Sequence, residues 1–160
     1  MSKSENTRTV FPIKKILVST DGSDNAKRAV SAASSLAKQN GSELVIVHVV
    51  SETIPTQYSP IGINSPAADY SGYFKTIEQD GMKLVNQSVQ DAKNHGINAR
   101  GEVLRTISSI VESVVEVANK ENVDLIVMGT RGLGGFKKLL LGSVSSGVVS
   151  HAKCSVLIVR

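Results

Sequence analysis

The sequence predicts an α/β domain built on a single open, doubly wound, mainly parallel five-stranded sheet with helices on both faces. Two observations predict this fold class. Short runs dense in β-branched residues recur along the chain, and stretches with apolar residues at three- and four-residue spacings lie between them. Strands that alternate with helices of this length imply right-handed crossovers, and therefore a mainly parallel sheet covered on both sides.

Four apolar runs predict strands that are buried on both faces, because apolar residues fill consecutive rather than alternate positions. These runs are Ile13–Ser19, Glu43–Val50, Asp124–Met128 and Ser155–Val159. A weaker strand is predicted at Ile97–Leu104, where apolar and polar residues partly alternate.

Helical spacing of apolar residues predicts four helices between and after these strands. The predicted helices follow Ala26–Ala37, Ile77–Ala92 and Ile107–Ala118, and a fourth begins near Ser143. The first is expected to end at Asn40–Gly41 and the second near His95–Gly96, because glycine commonly terminates a helix.

Two segments fall outside this pattern. Residues 1–12 are predicted to be a flexible N-terminal tail, because polar and charged residues there alternate with only a few apolar ones. The stretch also lacks the continuous apolar core of a signal peptide. The proline-containing stretch Ser51–Tyr73 is predicted to be a long variable loop. Loops of more than about 15 residues often act as lids or binding segments, and a plain surface excursion is the alternative.

Length and composition predict one soluble domain over residues 13–160. The chain has 160 residues, of which 41% are apolar and 20% charged, as in ordinary globular proteins. Its single cysteine, Cys154, cannot form an internal disulfide, so we expect a cytoplasmic protein. No apolar run approaches the roughly 20 residues that cross a bilayer, so no membrane partner is expected.

Nucleic acid is also not an expected partner, although the net charge is +4. The basic residues are scattered among fourteen acidic ones rather than gathered into a stripe. Aromatic residues make up only 4% of the chain, and there is no tryptophan on which bases could stack.

Two turns that follow predicted strands are candidates for a binding site, because ligands of open parallel sheets bind at the carboxyl ends of the strands. The first strand ends in Ser19–Ser23 and the fourth in Met128–Gly135. The second turn leads into a glycine pattern formed by Gly129, Gly132 and Gly142, with Ser143 after it. Glycine lets backbone N–H groups approach a phosphate closely.

The helix after this pattern could bind an anion at its N-terminus, with Ser143 as its capping residue. Arg131, Lys137 and Lys138 could add positive charge. The pattern matches neither the Walker loop nor the Rossmann fingerprint. A glycine cluster alone is equally compatible with a purely structural turn.

The spacing G-x2-G-x9-G-S, preceded by the strand DLIVMG and followed by CSVLIV, resembles the universal stress protein family. The segment KKILVSTDGSDNAKRAV resembles the first strand, acidic turn and first helix of that family. The resemblance extends from Ile13 to the end of the chain, apart from the variable loop. It implies a parallel sheet in the strand order 3-2-1-4-5, with an ATP site of the nucleotide-binding branch.

The resemblance also implies a role for each candidate residue. Thr20 and Asp21 would hold the ribose or the adenine edge, while Val49 and Met128 would pack on the base. The phosphates would be surrounded by Gly129, Arg131, Gly132, Gly142, Ser143 and Val144, with Ser145 as a further contact. The family tends to dimerise through the last strand, here Cys154–Arg160.

Simpler structural roles exist for several of these residues. Asp21 could only stabilise the turn before the first helix. Val49 and Met128 could be ordinary core residues, His48 a core histidine with its hydrogen bonds satisfied, and Cys154 a small apolar residue at the start of a buried strand. No cluster of metal ligands is evident in the sequence.

The leading functional hypothesis is an ATP-binding regulatory or stress-response switch that acts as a homodimer, with no catalytic residue assigned. A slow ATPase or phosphotransferase is the enzymatic alternative, with Mg²⁺ or Mn²⁺ bridging the phosphates, although no general base is evident. The chain could instead be a non-nucleotide interaction module. A flavin carrier is a further alternative, which the scarcity of aromatic residues at the strand ends disfavours.

Overall fold

Five parallel strands form one sheet in the predicted order. The computed structural model describes residues 12–53, 71–133 and 141–160. The strands are β1 (Lys15–Ser19), β2 (Glu43–Ser51), β3 (Ala99–Thr106), β4 (Leu125–Gly129) and β5 (Ser155–Val159). They lie in the order β3-β2-β1-β4-β5, and each neighbouring pair is parallel. The predicted fold class and the strand order implied by the resemblance are confirmed.

Helices pack on both faces of the sheet. The described residues contain α1 (Asp24–Asn40), α2 (Ser71–Asn94), α3 (Ile110–Lys120) and α4 (Ser143–His151). α1 and α2 cover one face, whereas α3 and α4 cover the other. None of the helices in these residues is long and apolar enough to cross a membrane.

The interior strands alternate their side chains between two apolar clusters. In β1, Ile16 and Val18 face α1, where they pack with Ala29 and its neighbours. Leu17 points to the opposite face and packs with Val114 of α3. All three β1 residues are fully buried, as expected for a strand covered on both sides.

β5 differs from the interior strands, and the prediction that it is buried on both faces is wrong. It lies at the edge of the sheet, and its burial alternates, with Ser155 and Leu157 exposed. Cys154 precedes the strand and is only half-buried. Burial of this cysteine raises the pKa of its thiol.

The predicted Ser51–Tyr73 loop is shorter at both ends than expected. β2 continues through Ser51, and α2 begins at Ser71. Residues 54–70 of that loop lie outside the described residues, as does most of the predicted tail, residues 1–11.

Two further boundaries also move. β3 spans Ala99–Thr106 rather than Ile97–Leu104. α3 starts at Ile110 rather than Ile107, because the Ser109 hydroxyl caps it by accepting a hydrogen bond from the Val111 N–H at 3.2 Å. Ile107 lies before this cap and is 80% exposed.

Four charged side chains form a network that joins β1, β2, β3 and the end of α3. Lys15 Nζ lies 3.0 Å from Glu121 and 3.4 Å from Glu43. The Arg100 guanidinium contacts the same two carboxylates at 2.8 and 2.6 Å. Hydrogen bonding to Arg100 is the main cause of a lowered pKa at Glu43, and hydrogen bonding to Lys15 is the main cause at Glu121.

Candidate functional site

A cavity of about 530 Å³ opens at the carboxyl ends of the strands, between β1 and β4. These neighbouring strands continue into helices on opposite faces of the sheet, since α1 follows β1 and α4 follows β4. Such a position is where open α/β sheets bind ligands. The volume is typical of small-molecule sites.

All of the predicted site residues border this cavity. They are Thr20, Asp21, Val49, Met128, Gly129, Arg131, Gly132, Gly142, Ser143, Val144 and Ser145. Five other residues that border it were not predicted: Ser19, Ala26, His48, Ile110 and Leu133. The predicted cations Lys137 and Lys138 lie outside the described residues.

The Asp21 carboxylate holds two turns together. Its Oδ1 accepts a hydrogen bond from the Ser23 N–H at 3.0 Å, which fixes the turn before α1. Its Oδ2 accepts another from the Leu133 N–H at 2.8 Å, which ties the glycine turn after β4 to the end of β1. Asp21 therefore stabilises the turn before α1, which was the simpler structural role considered for it. It also stabilises the glycine turn after β4, on the opposite wall of the cavity.

The glycines of the pattern meet different steric demands. A Cβ at Gly132 would lie 2.3 Å from Asp21 Oδ2, so any other residue would displace that carboxylate from its present position. A Cβ at Gly142 would make ordinary contacts, the nearest at 3.4 Å to the Thr130 carbonyl oxygen. The φ of Gly142 is −72°, which any residue adopts. The folded chain itself therefore does not require glycine at position 142.

The prediction that Ser143 caps α4 is wrong. The N-cap residue is Gly142, and no side chain among the described residues is seen to cap the helix. Ser143 is instead the first helical residue, and the Ser145 hydroxyl donates to the Thr130 carbonyl at 2.8 Å. Because the first amides of a helix have no partner within it, the uncapped start of α4 presents free donors to the cavity.

Arg131, which also borders the cavity, contains a buried N–H donor without a hydrogen-bond partner among the described residues. Its Nε is buried and has no hydrogen-bond partner within the described part of the chain. A buried unpaired donor costs roughly 1–3 kcal/mol, and most buried polar groups therefore find a partner. Because Arg131 borders the cavity, an acceptor there would reach the buried Nε once the side chain rotates.

Apolar side chains line the other end of the cavity. Met128 is 5% exposed, and Val49 packs against the same cluster from β2. Ile110 at the start of α3 belongs to the same apolar cluster and also borders the cavity. The cavity therefore combines apolar side chains, such as Val49 and Met128, with hydrogen-bond donors at the start of α4 and on Arg131.

The backbone of Val49 also faces the cavity side of β2. The Thr20 N–H donates to the Val47 carbonyl at 2.9 Å, so the backbone of Val47 points toward β1. Alternate residues of a strand direct their backbone groups to the same side, which places those of Val49 there too. Among the described residues, however, the Thr20 carbonyl bonds to the His48 side chain rather than to the Val49 N–H.

A second groove of about 410 Å³ lies between α1 and α2, and Thr20 borders both cavities. The described residues that line this groove include no glycine turn and no first residue of a helix. No group of three or more histidine, cysteine, aspartate or glutamate side chains that could hold a metal ion occurs in residues 12–53, 71–133 and 141–160. The cavity between β1 and β4 is therefore the candidate site.

Comparison with known proteins gives the same family throughout. The model of the universal stress protein family matches residues 12–160. Universal stress protein YxiE of Bacillus subtilis is 35% identical over 147 residues, which cover 91% of this chain and 98% of the relative.

Two solved structures are also similar. Universal stress protein UspA from Lactobacillus plantarum superposes with a TM-score of 0.80 at 23% identity, covering 92% of this chain and 98% of that one. A universal stress protein in complex with cAMP superposes with a TM-score of 0.66 at 27% identity, covering 93% and 98%. The chain described here therefore belongs to the universal stress protein family.

Proposed function

We propose that this protein binds ATP in the cavity between β1 and β4 and acts as a regulatory, stress-response switch. The observation that carries the proposal is the buried, unpartnered Nε of Arg131 beside the uncapped start of α4. Both features lack an acceptor within the described chain. A phosphate group supplies acceptor oxygens and negative charge, which suit a guanidinium and a helix N-terminus.

The glycine turn fits the phosphate end of the ligand. Gly142 is not required by the packing of the chain, and a glycine there leaves the backbone accessible to a phosphate. Gly129, Gly132, Ser143, Val144 and Ser145 complete this end of the cavity. The hydroxyl of Ser143 is free to donate to a phosphate oxygen, because it does not cap the helix.

The other end of the cavity fits an adenine base and its ribose. Val49 and Met128 offer apolar surface to the base, and the Val49 N–H and carbonyl can pair with the polar edge of adenine. Thr20 and the remaining lone pairs of Asp21 can accept ribose hydroxyls. The related protein solved with cAMP supports an adenine nucleotide as the ligand class.

A divalent ion would enter with the nucleotide. The described residues contain no preformed group of three potential metal ligands, so Mg²⁺ or Mn²⁺ would be held mainly by the phosphates. The resemblance assigns no catalytic residue, and the proposed role is ligand-dependent regulation.

The free edge of β5 supports a homodimer. β5 is the last strand of the sheet, and its outer edge has no partner strand in the described chain. Leu157 on this strand and Val149 on α4 are 37% and 47% exposed. Exposed strand edges pair readily with a second copy.

The test of the binding proposal is direct. Purified protein is denatured, and the small molecules released are identified by mass spectrometry, while nucleotide-free protein is titrated with ATP in a calorimeter. We expect an adenine nucleotide in the first experiment or saturable ATP binding in the second. Absence of both would overturn the proposal.

A further inference from the structure

One histidine joins the ends of β1 and β2 to α2. His48 lies in β2, and its Nδ1 is 2.8 Å from the Thr20 carbonyl oxygen. Because a carbonyl only accepts, Nδ1 must carry the proton that is donated. The sequence suggested an ordinary core histidine, but the residue borders the cavity, and its ring holds the carbonyl of Thr20, the residue before Asp21.

The pairing of β1 with β2 ends where this hydrogen bond forms. The register stops at Ser19 opposite Val47, and the Thr20 N–H still donates to Val47. If the ladder continued, the Thr20 carbonyl would accept from the Val49 N–H. The His48 ring takes that carbonyl instead, which leaves the backbone of Val49 available at the cavity.

The other edge of the His48 ring, at Cδ2, packs against α2. A Cβ at Gly81 would lie 2.5 Å from His48 Cδ2, so α2 approaches the ring as closely as a glycine allows. The same helix is close to β3 at a second glycine, where a Cβ on Gly101 would lie 2.1 Å from Val85 Cγ1. A methyl group at Gly81 would therefore force the ring or the helix to move.

We propose that His48 is a positioning residue for the nucleotide site, and that its contact with Gly81 couples the position of α2 to nucleotide affinity. The proposal rests on the proposed nucleotide function. His48 acts through Thr20: its donated hydrogen bond fixes the Thr20 carbonyl, and with it the turn that carries Asp21. Asp21 in turn holds the Leu133 N–H on the other wall.

The first experiment compares His48→Leu with His48→Asn. The asparagine amide places an N–H donor near the position of Nδ1, whereas leucine has no donor. We expect His48→Leu to weaken ATP binding about three- to tenfold, the usual effect of one lost neutral hydrogen bond, and His48→Asn to restore most of it. Val50→Ala, which opens a cavity on the same face of β2, is the control for lost stability alone.

A second readout needs no nucleotide. The amide chemical shifts and exchange rates of Ser23 and Leu133 report on the two hydrogen bonds to Asp21. In ligand-free protein, we expect His48→Leu to shift both signals and to speed exchange at Leu133, while His48→Asn and Val50→Ala leave them near the wild-type values. If wild-type protein fails to bind ATP, the proposed function fails, but these signals still decide whether His48 positions the turn.

The coupling to α2 is tested with a matched pair of glycine variants. Gly81→Ala places its methyl against His48, whereas Gly72→Ala on the same helix meets nothing within 4 Å. We expect Gly81→Ala to weaken ATP binding and to shift the Leu133 amide, and Gly72→Ala to change neither. Unchanged affinity and unchanged amide signals in both His48→Leu and Gly81→Ala would overturn the proposal and leave His48 as a packing residue.

Discussion

Asp21 Oδ2 accepts a hydrogen bond from the backbone N–H of Leu133 at 2.8 Å, across a separation of 112 residues. This contact links the turn after β1 to the turn after β4 without any ligand. The two walls of the candidate site are therefore held in place by the chain itself. A site whose walls are already positioned loses less conformational entropy when its ligand binds.

Gly132→Ala tests this link. The new Cβ would lie 2.3 Å from Asp21 Oδ2, so the carboxylate must turn away and release Leu133. We expect ATP affinity to fall at least about tenfold, since a charge-assisted hydrogen bond is lost at the same time as the ligand wall moves. Calorimetric titration measures the affinity, with Gly72→Ala as a control in open space. Wild-type affinity in Gly132→Ala would contradict the assignment of this wall to the site.

Arg131→Met separates stability from binding. Methionine has similar length but no charge and no donor, so the cost of the unpartnered Nε disappears. We expect nucleotide-free protein to be as stable as wild type or more stable, by up to about 1–3 kcal/mol. Affinity for ATP should fall about tenfold or more, because a hydrogen bond to a charged phosphate is lost.

The matched measurements for Arg131→Met are urea unfolding and titration with ATP and adenosine. Adenosine lacks phosphates, so its affinity should not change. Equal losses for ATP and adenosine would place Arg131 away from the phosphates and contradict its proposed role.

Leu157→Lys tests the proposed dimer. Leu157 lies on the edge strand β5 and is 37% exposed. Lysine on an edge strand opposes pairing with a second chain. We expect sedimentation velocity to show a dimer for wild type and a monomer for Leu157→Lys. Met82→Lys, on the exposed face of α2, should remain dimeric; a monomeric wild type would exclude this interface.

Glu43→Gln tests the charge network at the amino ends of the strands. The Arg100 and Lys15 hydrogen bonds lower the pKa of Glu43 from its ordinary value of 4.5. A lowered carboxyl pKa stabilises the fold above the unfolded pKa, and this stabilisation is lost as pH falls through the folded pKa. We expect the variant to be less stable than wild type at pH 7 by about 1 kcal/mol or less.

The stability difference for Glu43→Gln should shrink as pH falls below 4.5 and nearly vanish once wild-type Glu43 is protonated. Urea unfolding at several pH values measures it. Glu102→Gln is the control, because Glu102 is exposed and forms no ion pair among the described residues. A difference that is constant with pH would contradict the ionic origin of the effect.

Local patterns in the sequence predicted the interior of the fold well. The runs around Leu17, Ile46 and Ile126 are strands buried on both sides, because only covered strands tolerate consecutive apolar residues. The glycine spacing also placed Gly132 and Gly142 on one cavity with Asp21. These residues lie together because the carboxyl ends of parallel strands meet at one edge of the sheet.

Features that depend on distant neighbours were not predicted. The residues of β5 are as apolar as those of the interior strands, so the local pattern wrongly predicted burial on both faces. Only the strand order, which the family resemblance implied, places β5 at the edge. His48 seemed a core residue because its partner, the Thr20 carbonyl, lies 28 residues earlier. The capping of α4 was misassigned because Ser143 falls one residue inside the helix.

Gly129 borders the site, but the packing of the chain, rather than a ligand, requires a glycine at this position. A Cβ there would lie 2.8 Å from the backbone carbonyl carbon of Asn25, because the first turn of α1 presses directly on the end of β4. A relative with the same fold would therefore keep glycine at position 129 even if it no longer bound the ligand. At position 142, such a relative could carry other residues. In surveys of homologous sequences, a substitution at Gly142 is thus more informative about lost binding than an intact Gly129.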